Sequence, residues 1–166
     1  MSRDGCKNTH HTNGITRIAG RCRSFRINTK KERDCTNAPS KGLAAERLVE
    51  ADLILAGFTT FLPSSAQCVY DILAERGELC FKIQVKAATP KNGRLVVDAR
   101  RPSASSRHYS MEDYDYLAVV DLSTRLVCYI PRKSFNTGRV TVRLTKSAAP
   151  RTDLYFSEYR TIKGAV

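Results

Sequence analysis

Val69-Tyr70-Asp71-Ile72-Leu73-Ala74-Glu75-Arg76-Gly77-Glu78-Leu79-Cys80-Phe81-Lys82-Ile83-Gln84-Val85-Lys86-Ala87-Ala88 reads as a two-stranded antiparallel hairpin. In its second half Phe81, Ile83, Val85 and Ala87 alternate with Lys82, Gln84 and Lys86, so the apolar set faces one side of a strand and the polar set the other. Gln84 and Lys86 therefore share a face. A turn centred on Arg76-Gly77, where glycine supplies the positive φ of a tight hairpin, sets Asp71 opposite Lys82 and diagonal to Gln84. A carboxylate, an amide oxygen and an ammonium then lie within reach of one another. That set can hold a hard divalent cation against a scissile phosphate, as phosphodiester hydrolysis requires.

Working upstream, Ser40 offers a helix N-cap. The segment from about Gly42 to Ala56 places Ala44, Leu48, Ala51 and Leu55 at helical spacing before Gly57 closes it. Glu46 lies near the start of this helix, with Glu50 one turn on. Thr59 to Leu62 can begin a sheet that Pro63 interrupts.

Downstream, Asn92-Gly93 marks a second tight turn, with Leu95-Val96-Val97 continuing the sheet and Lys91 and Arg94 flanking the tip as candidate phosphate contacts. Residues 100–110 form a basic, small-residue loop in which Arg100, Arg101 and Arg107 are candidates for phosphate contact. His108 lacks a visible orienting partner for a general-base role. Tyr116 to Val120 and Leu126 to Ile130 are apolar strands that complete a mixed sheet. Val140 to Leu144 alternates as an edge strand, and Asp153 to Ile162, with Tyr155, Phe156 and Tyr159, packs across the core or against another subunit.

Tyr70-Asp71 followed by Gln84-Val85-Lys86, with Glu46 on a preceding helix, resembles the core of the PD-(D/E)XK nuclease superfamily. More narrowly, Gln in place of the second acid and Tyr before the Asp resemble the homing endonucleases encoded in group I introns. Asp115-Tyr116-Leu117-Ala118-Val119, then Tyr129-Ile130-Pro131, resembles a structural piece of the same group. The resemblance covers about residues 41–135 and the tail to Ile162, but not the first forty. The motif's proline is absent, and Gln84 removes one negative charge from the metal site.

What the resemblance implies is an α/β nuclease core, a central mixed sheet flanked by helices, with a basic N-terminal extension. It implies Mg²⁺, with Mn²⁺ able to substitute, held by Asp71, Gln84 and the backbone carbonyl of Val85. Lys86 would position water or stabilise developing negative charge, and Glu46 would orient water from the helix side. The expected activity is site-specific cleavage of double-stranded DNA by a homo-oligomer, a dimer or tetramer, of the intron-homing type. Two rivals stand beside it: a structure-specific nuclease of the Holliday-junction-resolvase kind, and a non-catalytic DNA-binding protein on a decayed nuclease scaffold.

Charge points the same way. The 166 residues carry a net charge of +12, which favours a polyanionic partner. Residues 1–40 hold nine Lys/Arg against three Asp/Glu, half of that excess. This stretch reads as a basic arm, with 41–166 as the catalytic domain. Arg17, Arg21, Arg23, Arg26, Lys30 and Lys31 would strengthen DNA binding without setting sequence choice. Cys6, His10, His11, Cys22 and Cys35 also lie here, and Cys6, His10, Cys22 and Cys35 are zinc candidates, although no Cys-x-x-Cys pair or regular finger spacing supports them. With no run of eighteen apolar residues and no hydrophobic signal region, an intracellular, cytoplasmic location is expected. In that reducing compartment the six cysteines would be free thiols, with Cys68, Cys80 and Cys128 inside strands.

Overall fold

Asn37 starts the helix, its side chain accepting a 3.0 Å hydrogen bond from the Ser40 N–H while Pro39 sits in the first turn, where it sacrifices no helical bond. The computed structural model describes residues 37–65, 67–100, 109–136, 138–145 and 154–162, all within the unit Asp34–Val166. Helix α1 spans Ala38–Leu55. It thus begins earlier than Ser40 capping implies, inside the stretch assigned to the arm. Gly57, at φ 84°, turns the chain out of it.

The buried stripe is Ala45, Val49 and Leu53; of the expected stripe Leu48 packs against this core, while Ala44, Ala51 and Leu55 are exposed. Leu55 is 88% exposed. Both stripes have helical spacing, three or four residues apart, so periodicity does not choose between them. Packing does: Val49 and Leu53 meet Ile72, Ile83 and Val85, each fully buried side chain contributing about 2 kcal/mol.

Eight strands follow: β1 (Thr59–Phe61), β2 (Ile72–Arg76), β3 (Leu79–Ala88), β4 (Arg94–Asp98), β5 (Tyr116–Asp121), β6 (Leu126–Pro131), β7 (Arg139–Arg143) and β8 (Leu154–Tyr155). Five make a mixed sheet in the order β1-β2-β3-β5-β6, and β4-β7-β8 make a second sheet. Within the first, β3 pairs antiparallel with β2 and parallel with β5. One face of it carries α1 over a core that includes Ile72, Ile83, Val85, Ala118 and Val120. The other carries the second sheet, whose Leu95, Val97, Val140 and Val142 pack with Leu117, Val119, Cys128 and Ile130. Among the described residues, then, one helix covers one face and a sheet covers the other.

Two strands change place relative to the sequence reading. Asn92 (φ 52°) and Gly93 (φ 70°) do form the expected tight turn, closed by two backbone bonds between Lys91 and Arg94. The strand leaving it, however, joins β7 rather than β3, because the free side of β3 is taken by β5. β7 is consequently the middle strand of its sheet, not an edge. Asp115 ties the start of the parallel pair: its Oδ2 accepts the Lys82 N–H and its own N–H donates to the Lys82 carbonyl, both at 2.8 Å. Leu154 to Ile162 packs across the core, placing Phe156 in one cluster and Ile162 in the other. Cys80 and Cys128 lie in strands as expected, but Cys68 precedes β2. None of the described helices is long and apolar enough to cross a membrane.

Candidate active site

The hairpin loop is Gly77-Glu78, since Arg76 and Leu79 are the last paired residues. Gly77 takes φ 61°, the positive value that the first loop residue of a type II′ turn requires. The turn is therefore one residue later than Arg76-Gly77. Leu73, not Asp71, lies opposite Lys82. Lys82 departs from the site, its Nζ donating to the Glu112 carbonyl at 3.2 Å. Asp71 instead sits beside Ile83, Gln84 and Val85, its N–H donating to the Ile83 carbonyl at 2.9 Å.

Three of the residues singled out in the sequence meet around one carboxylate. Gln84, only 5% exposed, donates from Nε2 to Asp71 Oδ2. The Val85 N–H donates to the same oxygen at 2.6 Å, and the Lys86 ammonium acts on Asp71 by charge. From the helix, Glu46 is close enough for Asp71 to raise its pKa. The contribution of the Val85 amide had no signal in the sequence, because it is a backbone group that register alone aims at Asp71.

The two carboxyl groups resist ionisation. Burial raises the Asp71 pKa above its ordinary value, outweighing the hydrogen bonds of Val85 and Gln84 and the charge of Lys86. Burial also raises Glu46, with the Asp71 charge adding to it and Arg47 opposing. Two desolvated carboxyls, with Glu46 raised further by the charge of Asp71, form a site whose charge a cation would offset. No group of three His, Cys, Asp or Glu side chains that could hold a metal occurs among the described residues. The available set is Glu46, Asp71, the amide oxygen of Gln84 and the Val85 carbonyl. Every donor in it is oxygen, which fits a hard ion such as Mg²⁺ that retains several waters.

The remaining candidates separate. Lys91 and Arg94 flank the exposed turn. Arg100 is bound to Asp98, with Nη2 to Oδ2 at 2.5 Å and Nε to Oδ1 at 2.9 Å, and this pairing holds the Asp98 carboxyl well below the usual range. Glu50 pairs with Arg47 at 2.8 Å. Arg101, Arg107, His108, Arg17, Arg21, Arg23, Arg26, Lys30, Lys31 and the zinc candidates Cys6, His10, Cys22 and Cys35 lie outside the described residues. A cavity of about 380 Å³ lined by Asp52, Phe58, Arg76, Tyr129, Arg160 and Ile162, among others, includes none of the four site residues.

No curated protein matches this sequence. Among solved structures, the bacterial homing endonuclease I-Ssp6803I is similar over 75% of this chain and 88% of its own, with 21% identity and a TM-score of 0.62; this likeness is one of fold. Hjc, a Holliday junction resolvase from the archaeal hyperthermophile Archaeoglobus fulgidus, aligns over 62% of this chain and 84% of its own, at 17% identity and a TM-score of 0.40. The model of the PD-(D/E)XK endonuclease family matches residues 36–162, the span that holds the hairpin, the helix with Glu46 and both sheets. This chain is a member of the PD-(D/E)XK endonuclease family.

Proposed function

We propose that this protein is a site-specific, Mg²⁺-dependent endonuclease of double-stranded DNA, of the intron-homing type, acting as a homo-oligomer. The observation that carries the reading is the cluster on one hairpin: Asp71 held by Gln84 and the Val85 amide, under the charge of Lys86 and beside Glu46. The net charge of +12 suits the polyanionic substrate.

Asp71, Gln84 and the Val85 carbonyl would hold the ion. When bound it supplies Lewis-acid polarisation of the phosphate and a lowered pKa for water. The chain's own residues do the rest. Gln84 and Val85 fix the Asp71 carboxylate in one orientation, which limits the reorganisation needed at reaction. Lys86 places a positive charge where negative charge grows on the phosphate oxygens. Glu46, its pKa raised, can accept a proton from attacking water.

The test is cleavage of a pool of duplex DNA that includes the sequence flanking the gene's own locus, with Mg²⁺ and with chelator, by wild type and Lys86→Ala. Discrete metal-dependent cuts are expected, reduced at least about 100-fold in the variant while DNA binding persists. A wild-type chain that binds duplex DNA and never cuts it with Mg²⁺ or Mn²⁺ would refute the activity. Preference for four-way junctions over linear duplex would refute the site-specific role.

A further inference from the structure

The cavity of about 380 Å³ noted above lies on the α1 side of the main sheet. Its wall draws Leu53, Phe58 and Ile162 from the core cluster that α1 covers. Leu55, 88% exposed, stands at its rim. At interior packing density such a volume holds a ligand of about a dozen heavy atoms, and an apolar wall with a few polar groups is the usual make-up of a small-molecule site.

Among the polar side chains of the wall, Tyr129 and Asp52 answer each other, the hydroxyl donating to Asp52 Oδ2 at 2.7 Å. Two guanidiniums are left. Arg76 lies against the Phe58 ring at 4.9 Å and donates from Nη1 to the Ala56 carbonyl at 3.2 Å, which caps the end of α1. It has further N–H groups to give. Arg160 lies over the Phe156 ring at 5.5 Å, and its charge acts on the Cys128 thiol and the Tyr129 phenol. Its buried Nη1 has no hydrogen-bond partner. Among the described residues the ion pairs are Arg47 with Glu50 and Arg100 with Asp98, so neither guanidinium of the wall is paired with a carboxylate.

The electrostatic balance selects the ligand. Two cations against the one Asp52 carboxylate leave the wall with an excess positive charge, beside apolar side chains where charge is poorly solvated. A buried donor without a partner costs free energy that an acceptor within the guanidinium's reach returns. The guanidinium fork matches a carboxylate through two parallel bonds. Asp52 repels a second negative charge, which disfavours a phosphate dianion. Leu53, Phe58 and Ile162 in turn cover an apolar body.

We infer that this cavity is a binding site for an apolar monocarboxylate of about a dozen heavy atoms. Arg160 and Arg76 hold its carboxylate, and its hydrocarbon body lies on Leu53, Phe58 and Ile162 toward the rim at Leu55. None of these residues belongs to the cluster around Asp71, so the site stands whether or not the chain cuts DNA.

Isothermal titration calorimetry of the full chain with decanoate, at about pH 7 and about 0.15 M salt, measures stoichiometry and affinity. One decanoate per chain is expected, with a dissociation constant of about 10 to 100 μM. Decanol keeps the body without the charge and acetate keeps the charge without the body; each should bind at least about tenfold more weakly. Arg160→Gln should lose about 10- to 100-fold. Leu55→Glu changes a side chain that folding leaves in solvent, should weaken binding by about threefold or more through repulsion, and carries the test if circular dichroism shows that Arg160→Gln does not fold. Lys91→Ala, which removes a surface cation outside the wall, should bind as wild type does. Absence of saturable decanoate binding, affinity untouched by both wall variants, or equal affinity for decanol would each overturn the inference. So would a loss in Lys91→Ala as large as in Arg160→Gln, the mark of attraction to net charge alone, or tighter binding of decylamine than of decanoate, which would place a cation at Asp52.

Discussion

Gln84→Glu restores the second acid of the family motif, and the geometry gives a definite thermodynamic consequence. Gln84 is buried and donates to Asp71 Oδ2. Glutamate at this position loses the donor and faces a carboxylate at hydrogen-bonding range. At about 4 Å and an effective dielectric near 20, two unit charges repel by about 4 kcal/mol. Proton uptake sets a ceiling on the cost: with an ordinary glutamate pKa near 4.3, binding one proton at pH 7 costs about 4 kcal/mol, and at pH 5 about 1 kcal/mol. The protonated acid also donates to Asp71, so the lost bond is recovered. The folded-state pKa of the pair is thus raised, and for a raised group stability is present at low pH and lost as pH rises through the folded value. Gln84→Glu should therefore be less stable than wild type by about 3 to 4 kcal/mol at pH 7 in chelator, and by about 1 kcal/mol at pH 5. Excess Mg²⁺ at pH 7 should close much of the gap, because an ion between the carboxylates is bound more tightly by the variant. Urea unfolding followed by circular dichroism, with linear extrapolation, measures each value. Equal stability of the two proteins at pH 7 in chelator, or a gap that does not shrink at pH 5, would refute the contact geometry.

Asp71→Asn keeps an acceptor for the Gln84 and Val85 donors and removes a charge whose folded pKa is raised by burial; the metal-free protein should gain stability at pH 7, with the gain shrinking as pH falls through the raised pKa. Wild type should be stabilised by about 1.4 kcal/mol for each tenfold excess of Mg²⁺ over its dissociation constant, and Asp71→Asn should show little of this in the same urea titrations. Tyr129→Phe removes the 2.7 Å bond from the phenol to Asp52 Oδ2 and should cost about 1 to 2 kcal/mol in unfolding. Burial pushes the Cys128 thiol up to about 12, so iodoacetamide at pH 8 should label exposed Cys80 while Cys128 reacts only on unfolding, as peptide mass mapping would read.

The hairpin was legible because Phe81 to Ala87 alternates strictly, and alternation fixes which side chains share a face. The turn was misplaced by one residue, yet this shifts the pairing by two positions and preserves parity. Parity is why Asp71, Gln84 and Lys86 share a face in the structure despite the error in register. The neighbours of the hairpin were not legible. Nothing local to Ala88 announces that β5, some thirty residues away, will lie along β3, and so β4 was assigned to the wrong sheet. The helix stripe failed for a related reason: Ala44-Leu48 and Ala45-Val49 have equal spacing, and only the sheet beneath decides between them. Glu46 was placed beside Asp71 through the resemblance, since its own surroundings in the sequence are those of a solvated helix.

The parallel pairing of Ile83–Ala88 with Tyr116–Asp121 also has a temporal side. On the ribosome the hairpin is complete once Ala88 emerges, but its partner strand arrives about 28 residues later, roughly one to six seconds at ordinary elongation rates. Throughout that interval the far side of β3 is an unpaired edge of apolar character, the kind of template on which nascent chains aggregate. Lys82 and Lys86 interrupt that edge with charge, as gatekeeper residues do. The lysine proposed for chemistry would then protect the newborn chain before it ever meets a substrate.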